Sequence, residues 1–194
     1  MGPHTSSVMM RKPAPNEKAA PRVNMPCNCA RPDPKYPTNL EWGPAFWGIL
    51  HTLAHHAGGV GAPTVLQADE RKHWTDIFTE LSDTLPCEDC KQHYKTWLGG
   101  QDLARWKSGP YAGFGDDLRR TWWGLHNEVN ARLGKPVFAF EDLGATSTGN
   151  SLRALIKGVS PTIDRAIRMN GVRILPWKRF LKSVQFLMGV YGSM

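Results

Sequence analysis

The chain has 194 residues, 41% of them hydrophobic and 21% charged, with a formal net charge of +7. That length buries one core of ordinary size and leaves residues over for extensions. No run of about 20 uncharged apolar residues occurs, so no segment reads as a bilayer span. The best stretch, ILPWKRFLKSVQFLMGVYG, is interrupted by Lys178, Arg179 and Lys182.

The charge is divided unevenly. Residues 1–36 hold six Lys/Arg and two Asp/Glu, residues 37–144 hold ten and fourteen, and residues 145–194 hold eight and one, giving +4, −4 and +7. Basic ends around an acidic-leaning centre predict segments that dock on an acidic protein, a nucleic acid or a membrane surface. The same pattern also describes ordinary solvated helix faces. The opening residues lack the apolar centre of a secretory signal, which predicts an intracellular site.

Residues 1–37 combine prolines with small and polar residues and too little apolar material to fold alone. They predict a flexible arm of polyproline II character carrying Cys27 and Cys29 in the sequence CNC. From Thr38 the pattern turns helical. NLEWGPAFWGILHTLAHHA has Thr38 or Asn39 as a cap, Pro44 near the first turn and apolar positions at 42, 46, 47, 50, 53 and 54. GGVGAP breaks it, and a second helix is predicted over about 63–84 with Leu66, Trp74, Ile77, Phe78, Leu81 and Leu85 as its inner stripe.

A third helix is predicted to start at Pro86, with Cys87, Cys90, Tyr94 and Trp97 or Leu98 on one face. After a loop around KSGPYAGFG, a fourth runs from about 116 to 133 and is stopped by Gly134; it places Trp122, His126, Val129 or Asn130, and Leu133 on neighbouring turns. GATSTGNS is a linker by composition, followed by basic amphipathic segments near 151–158, 161–169 and 176–191. No strand pattern occurs. The expected fold class is all-α: a four- to five-helix bundle over residues 38–144, the arm over 1–37 and a basic helical extension over 145–194.

The four cysteines lie in CNC and in LPCEDCKQHY. A C-x-x-C at a helix start is a redox arrangement because the i, i+3 spacing brings the sulfurs within bonding distance, and the helix N-terminus stabilises a thiolate. Cys87 is the better-placed nucleophile, although Glu88 and Asp89 oppose its ionisation. Zinc is the alternative, with Cys27, Cys29, Cys87 and Cys90 as ligands or His93 replacing one. Spacing alone leaves redox, zinc and a plain buried pair open. Helix one adds Trp42, Trp47 and His51 and helix four adds His126 and Asn130; polar groups among tryptophans need partners, which a planar cofactor with ring nitrogens, ribose and phosphates supplies.

EWGPAFWGILHTLA, LPCEDCKQHY and LHNEVNARLGKPVF, in this order and spacing, resemble the signature blocks of the Erv/ALR family of FAD-linked sulfhydryl oxidases over Leu40 to Phe140. The resemblance implies a helical bundle holding FAD at its mouth, usually as a homodimer. It implies a thiol oxidase with protein dithiols and oxygen as substrates and hydrogen peroxide as product. On it, Cys90 is the cysteine beside the isoalloxazine and Cys87 its interchange partner, while Trp42, Trp47, His51, His93, His126, Asn127, Asn130, Lys135 and Phe138 line the flavin or its adenosine end. Many members add a structural disulfide after this last block, whereas this chain has no cysteine beyond Cys90, so stabilisation is expected from elsewhere, such as the C-terminal helices. On the resemblance, Cys27 and Cys29 fit, by their position on the arm, the distal pair that relays electrons from substrate; the alternatives are that they bind metal or link subunits. Members occur in large DNA viruses, which makes host cytoplasm or virion the expected site for a viral member. A docking component of a larger assembly, with oxidase activity secondary or absent, is the alternative function.

Overall fold

A computed structural model describes residues 35–61, 64–143 and 151–192. Cys27, Cys29 and the rest of the predicted arm up to residue 34 lie outside the described residues. Those described hold seven α-helices, one 3-10 turn and no strand, so the chain is all-α.

Helix α1 spans Asn39–His56. Its start is fixed by Thr38, whose backbone N–H and hydroxyl both donate to the Glu41 carboxylate, at 2.7 and 3.0 Å. This is a capping box in which the acid also lies where the helix dipole favours it. Helix α2 (Thr64–Thr84) follows, then α3 (Glu88–Gly99), α4 (Leu103–Ser108), α5 (Phe114–Arg132), a 3-10 turn at Phe140–Asp142, α6 (Leu152–Arg168) and α7 (Ile174–Val190).

Several boundaries differ from the sequence-based expectation. Helix α3 starts at Glu88 and not at Pro86, because Cys87 is extended and serves as its N-cap, with Sγ accepting the Cys90 N–H at 3.2 Å. Helix α4 falls where a loop was expected to begin: Asp102 caps it by accepting the Arg105 N–H at 3.0 Å, and Trp106 supplies the buried contact. Helix α6 is one helix, because Pro161 sits on its exposed side, where the carbonyl that loses its partner meets water.

Helices α5 and α6 pack on α1, while α3, α4 and α7 pack on α2. One aromatic stack joins the centre: Phe78 lies parallel to Trp122 at 4.4 Å between ring centres and to Trp106 at 4.2 Å. A second gathers Phe46 of α1 with Trp177 and Phe180 of α7. Leu152, Val159, Ile163, Phe180, Val184 and Leu187 are buried in the same core, so the basic C-terminal helices are part of the packed body. Each such side chain contributes roughly 1.5–3 kcal/mol on burial, which is the stabilisation expected in place of a further disulfide.

The inner stripes also need correcting. Leu66 is 39% exposed and Leu133 59% exposed, whereas Glu70 and Arg71 of α2 are buried. Glu70 is satisfied there: it accepts hydrogen bonds from the Gly58 N–H at 3.0 Å and from the hydroxyls of Tyr111 and Tyr191. Arg71 lies over the rings of Tyr111 and Phe114. These contacts tie the end of α1, the α4–α5 loop and the end of α7 to one point of α2. No helix among the described residues is long and apolar enough to cross a membrane.

Candidate functional site

Cys87 and Cys90 form a disulfide at the start of α3, with Cα atoms 5.1 Å apart. The cap geometry explains the pairing, since an extended Cys87 turns its sulfur back over the first turn, where Cys90 stands at i+3. Both residues are half-buried against the core. The Asn39 amide donates to Cys90 Sγ at 3.8 Å. Glu88 does not stand unbalanced beside the sulfurs: Gln92 and Lys91 hydrogen-bond its carboxylate and hold it below the usual carboxylate range.

The two sulfurs have different surroundings. Cys87 lines an open cleft of about 380 Å³ with Tyr36, Asn39, Lys91, Asn170 and Gly171. Cys90 is turned toward the Asn39 amide and does not line the cleft.

Helix α1 leads from Asn39 to a layer of flat rings two to three turns on. Trp47 lies parallel to His126 of α5, 4.0 Å apart at 6°, and His51 lies 5.2 Å from His126. His51 Nε2 and His126 Nδ1 share a hydrogen bond of 2.9 Å, which requires a donor on one ring and an acceptor on the other. Burial lowers both imidazoles to a pKa of about 4; the neighbouring His126 adds to the effect on His51, and Lys135 to that on His126. Both rings are therefore neutral at pH 7, and each keeps its second nitrogen for another partner.

Phe138 closes the layer, edge-on to His126 at 5.1 Å. It is held there by Asn127, whose amide donates to the Phe138 carbonyl at 3.0 Å and accepts its N–H at 3.2 Å, and by Trp123, whose indole donates to the same carbonyl at 2.9 Å. The segment after α5 thus folds back onto the helix it leaves.

Of the residues singled out from sequence, Trp47, His51, His126, Asn127 and Phe138 come together in this layer. His93 of α3 reaches Glu128 of α5 at 2.8 Å, bridging the disulfide-bearing helix to the ring-bearing one. Asn130 and Lys135 lie at the end of α5, joined by a hydrogen bond from the Lys135 N–H to the Asn130 carbonyl at 2.8 Å. Trp42 is not in the layer. It is buried edge-on against Phe46, and its indole N–H has no partner among the described residues. No group of three or more His, Cys, Asp or Glu that would hold a metal ion occurs among the described residues. Asn39, Lys91, Trp123 and Glu128 were not singled out; Asn39 stood in the sequence only as a possible cap, and its contact spans 51 residues.

The Erv1 / Alr family matches residues 44–147, which contain the disulfide and the ring layer. The chain belongs to that family. Among relatives of this Erv1 / Alr chain, protein 096R of Invertebrate iridescent virus 3 is 36% identical over 98 residues, 50% of this chain and 60% of the relative. The FAD-linked sulfhydryl oxidase ERV1 of Arabidopsis thaliana is 32% identical over 109 residues, 56% of this chain and 50% of the relative. An African swine fever virus FAD-linked sulfhydryl oxidase is 30% identical over 103 residues, 53% of this chain and 76% of the relative. The chain thus spans half to three-quarters of these relatives' lengths. No solved structure matches it.

Proposed function

We propose that this Erv1 / Alr protein is an FAD-linked thiol oxidase that takes the electron pair of a protein dithiol through Cys87 and Cys90. The observation that carries the reading is one arrangement: a C-x-x-C disulfide capping α3, beside a layer of parallel indole and neutral imidazole rings on α1 and α5. The relatives' names, FAD-linked sulfhydryl oxidase, point the same way.

The residues fit a flavin. His51 and His126 each have one ring nitrogen uncommitted, and the Asn130 amide makes no hydrogen bond among the described residues. Polar groups set among aromatic rings in this way call for partners. A planar ring system fits the flat Trp47, His51 and His126 surface, with Lys135 offering positive charge for a phosphate at its edge. Trp47, His51, His126, Asn127, Asn130, Lys135 and Phe138 would hold it, with His93 bracing α3 against α5 and Trp42 turned to the core. Bound FAD would supply the two-electron acceptor for Cys90 and the return of that pair to oxygen as hydrogen peroxide.

The chain's own part is thiol exchange. A donor thiolate attacks Cys87 Sγ, the Cys87–Cys90 bond breaks, and Cys90 takes the electron pair as a thiolate. The Asn39 amide stabilises that charge, while the Cys90 N–H in the first turn of α3 serves Cys87 Sγ. The donor's second thiolate then attacks its own sulfur, leaves as a disulfide and frees the Cys87 thiolate. Cys27 and Cys29 are proposed as the first acceptor, passing the pair on to Cys87. Tethering raises their local concentration at the centre. A homodimer belongs to the same reading; since α6 and α7 occupy faces of α1 and α2, a second copy would meet other surfaces.

Purified protein is expected to carry the visible absorbance of an oxidised flavin, and His126→Ala with Asn130→Ala is expected to lose it. A colourless parent protein, or full flavin content in the double variant, would move the cofactor elsewhere or remove it.

A further inference from the structure

The cleft at Cys87 is walled by segments outside residues 44–147, the part that matches the family. Tyr36 and Asn39 line it from the start of α1, and Asn170 and Gly171 from the corner between α6 and α7. The corner is built to close tolerance. Asn170 has a φ of 59°, in the left-handed region that asparagine enters more readily than most residues. A Cβ on Gly171 would come within 1.8 Å of the Tyr36 hydroxyl, so with Tyr36 seated where it is the corner takes glycine. Lys91 locks the corner to α3: its ammonium, on a side chain only 13% exposed, donates to the Gly171 carbonyl at 2.7 Å and to Glu88 at 3.1 Å.

The polar groups facing the cleft are of the kind that pair with a peptide backbone. An ammonium has three N–H donors, and two of those on Lys91 are committed, leaving one for a carbonyl. Asn39 uses its amide nitrogen on Cys90 and keeps its oxygen for an N–H. The Asn170 amide makes no hydrogen bond among the described residues. Lys91 also stands at i+4 from Cys87, on the same side of the first turn. A backbone flanking a cysteine would find both acceptors and donors within the width of one cleft.

We infer that this cleft is the entry port for the thiol donor, that it takes a cysteine within an extended polypeptide segment, and that the α6–α7 corner is its selectivity wall. The inference rests on the oxidase reading for its role in turnover, but its test needs neither flavin nor oxygen. With Cys27, Cys29 and Cys90 all changed to Ser, Cys87 is the sole thiol. Its thiolate attacks the peptide sulfur of a peptide–thionitrobenzoate mixed disulfide, forms the Cys87–peptide bond and releases coloured thionitrobenzoate as the leaving thiolate. The comparison probe is the same mixed disulfide made from N-acetylcysteamine, which has one amide and no flanking residues.

The full-length triple variant is expected to react faster with the peptide probe than with the small one. Asn170→Gly, which keeps the left-handed backbone and deletes only the side chain, and Lys91→Met, which keeps the apolar stem, should each lower the peptide-to-small rate ratio about threefold to tenfold, the loss of one hydrogen bond. An unchanged ratio in both variants, with helicity and melting intact, overturns the selectivity wall. No reaction of Cys87 with either probe overturns the port, whether or not the parent protein binds flavin. Loss of flavin in the parent with the rate ratio preserved would overturn the oxidase reading alone.

Discussion

Glu70→Ala is the sharpest test of how the bundle is held. Glu70 is fully buried on α2, and its carboxylate accepts from the Gly58 N–H and from the Tyr111 and Tyr191 hydroxyls. Burial, and after it the carboxylate, raises both phenols above their ordinary pKa, so each stays a donor at pH 7. Hydrogen bonds to a charged group contribute about 1.5–3 kcal/mol each, and a donor left unpaired costs about 1–3 kcal/mol. The three do not add fully, because the two phenols can turn toward other acceptors. We expect a loss of about 3–5 kcal/mol, the scale seen when a buried charged partner is deleted. For a chain of this length each kcal/mol lowers the melting temperature by roughly 2–4 °C, so the variant should melt about 6–20 °C below the parent by circular dichroism. Glu141→Ala, at an exposed acid, should change stability by no more than about 0.5 kcal/mol. A Glu70→Ala protein that melts within about 2 °C of the parent would refute the reasoning.

Three further outcomes follow from other parts of the molecule. His51 has a folded pKa of about 4 against an ordinary 6.5, so the unfolded chain binds the extra proton between those values and stability is lost as pH falls through that window. From His51 alone the loss between pH 7 and 5 is about 2 kcal/mol; urea titrations should show it in the parent and a correspondingly flatter profile in His51→Phe. Gly115→Ala should destabilise strongly, because a Cβ there would collide with the Ala57 carbonyl where α5 crosses the end of α1; a variant that melts like the parent would contradict that close approach. Cys27→Ser with Cys29→Ser should lower turnover of a folded protein dithiol at least about tenfold more than turnover of dithiothreitol, as loss of a tethered relay requires. Equal losses on both would contradict the relay.

The helical class and the disulfide helix were legible in the sequence because each depends on short-range spacing, whereas Asn127 and Phe138 entered only through the family resemblance. Cys87 and Cys90 are i, i+3, Trp47 and His51 are i, i+4, and the aromatic core positions recur at helical period. Contacts between distant segments were not legible. Asn39 reads only as a cap until the fold brings it to Cys90, and Glu70 reads as a surface acid until Tyr111 and Tyr191 arrive from 41 and 121 residues away. Helix α4 escaped notice because six residues give too little periodicity, so that only Asp102 and Trp106 mark it. Pro161 divided one helix into two by local rule, since sequence does not say that its carbonyl partner faces water. Trp42 and Trp47 look alike in the sequence, yet one packs on Phe46 of its own helix and the other on His126 of α5.

The most direct measurement is peroxide production by Cys90→Ser protein supplied with dithiothreitol, read alongside its flavin content. In the proposed mechanism Cys90 is the sulfur that hands the electron pair on, with no main part in anchoring the cofactor. Peroxide production should therefore be abolished while the flavin absorbance of the parent is retained. Oxidation of dithiothreitol at the parental rate by the flavin-bearing variant would contradict it.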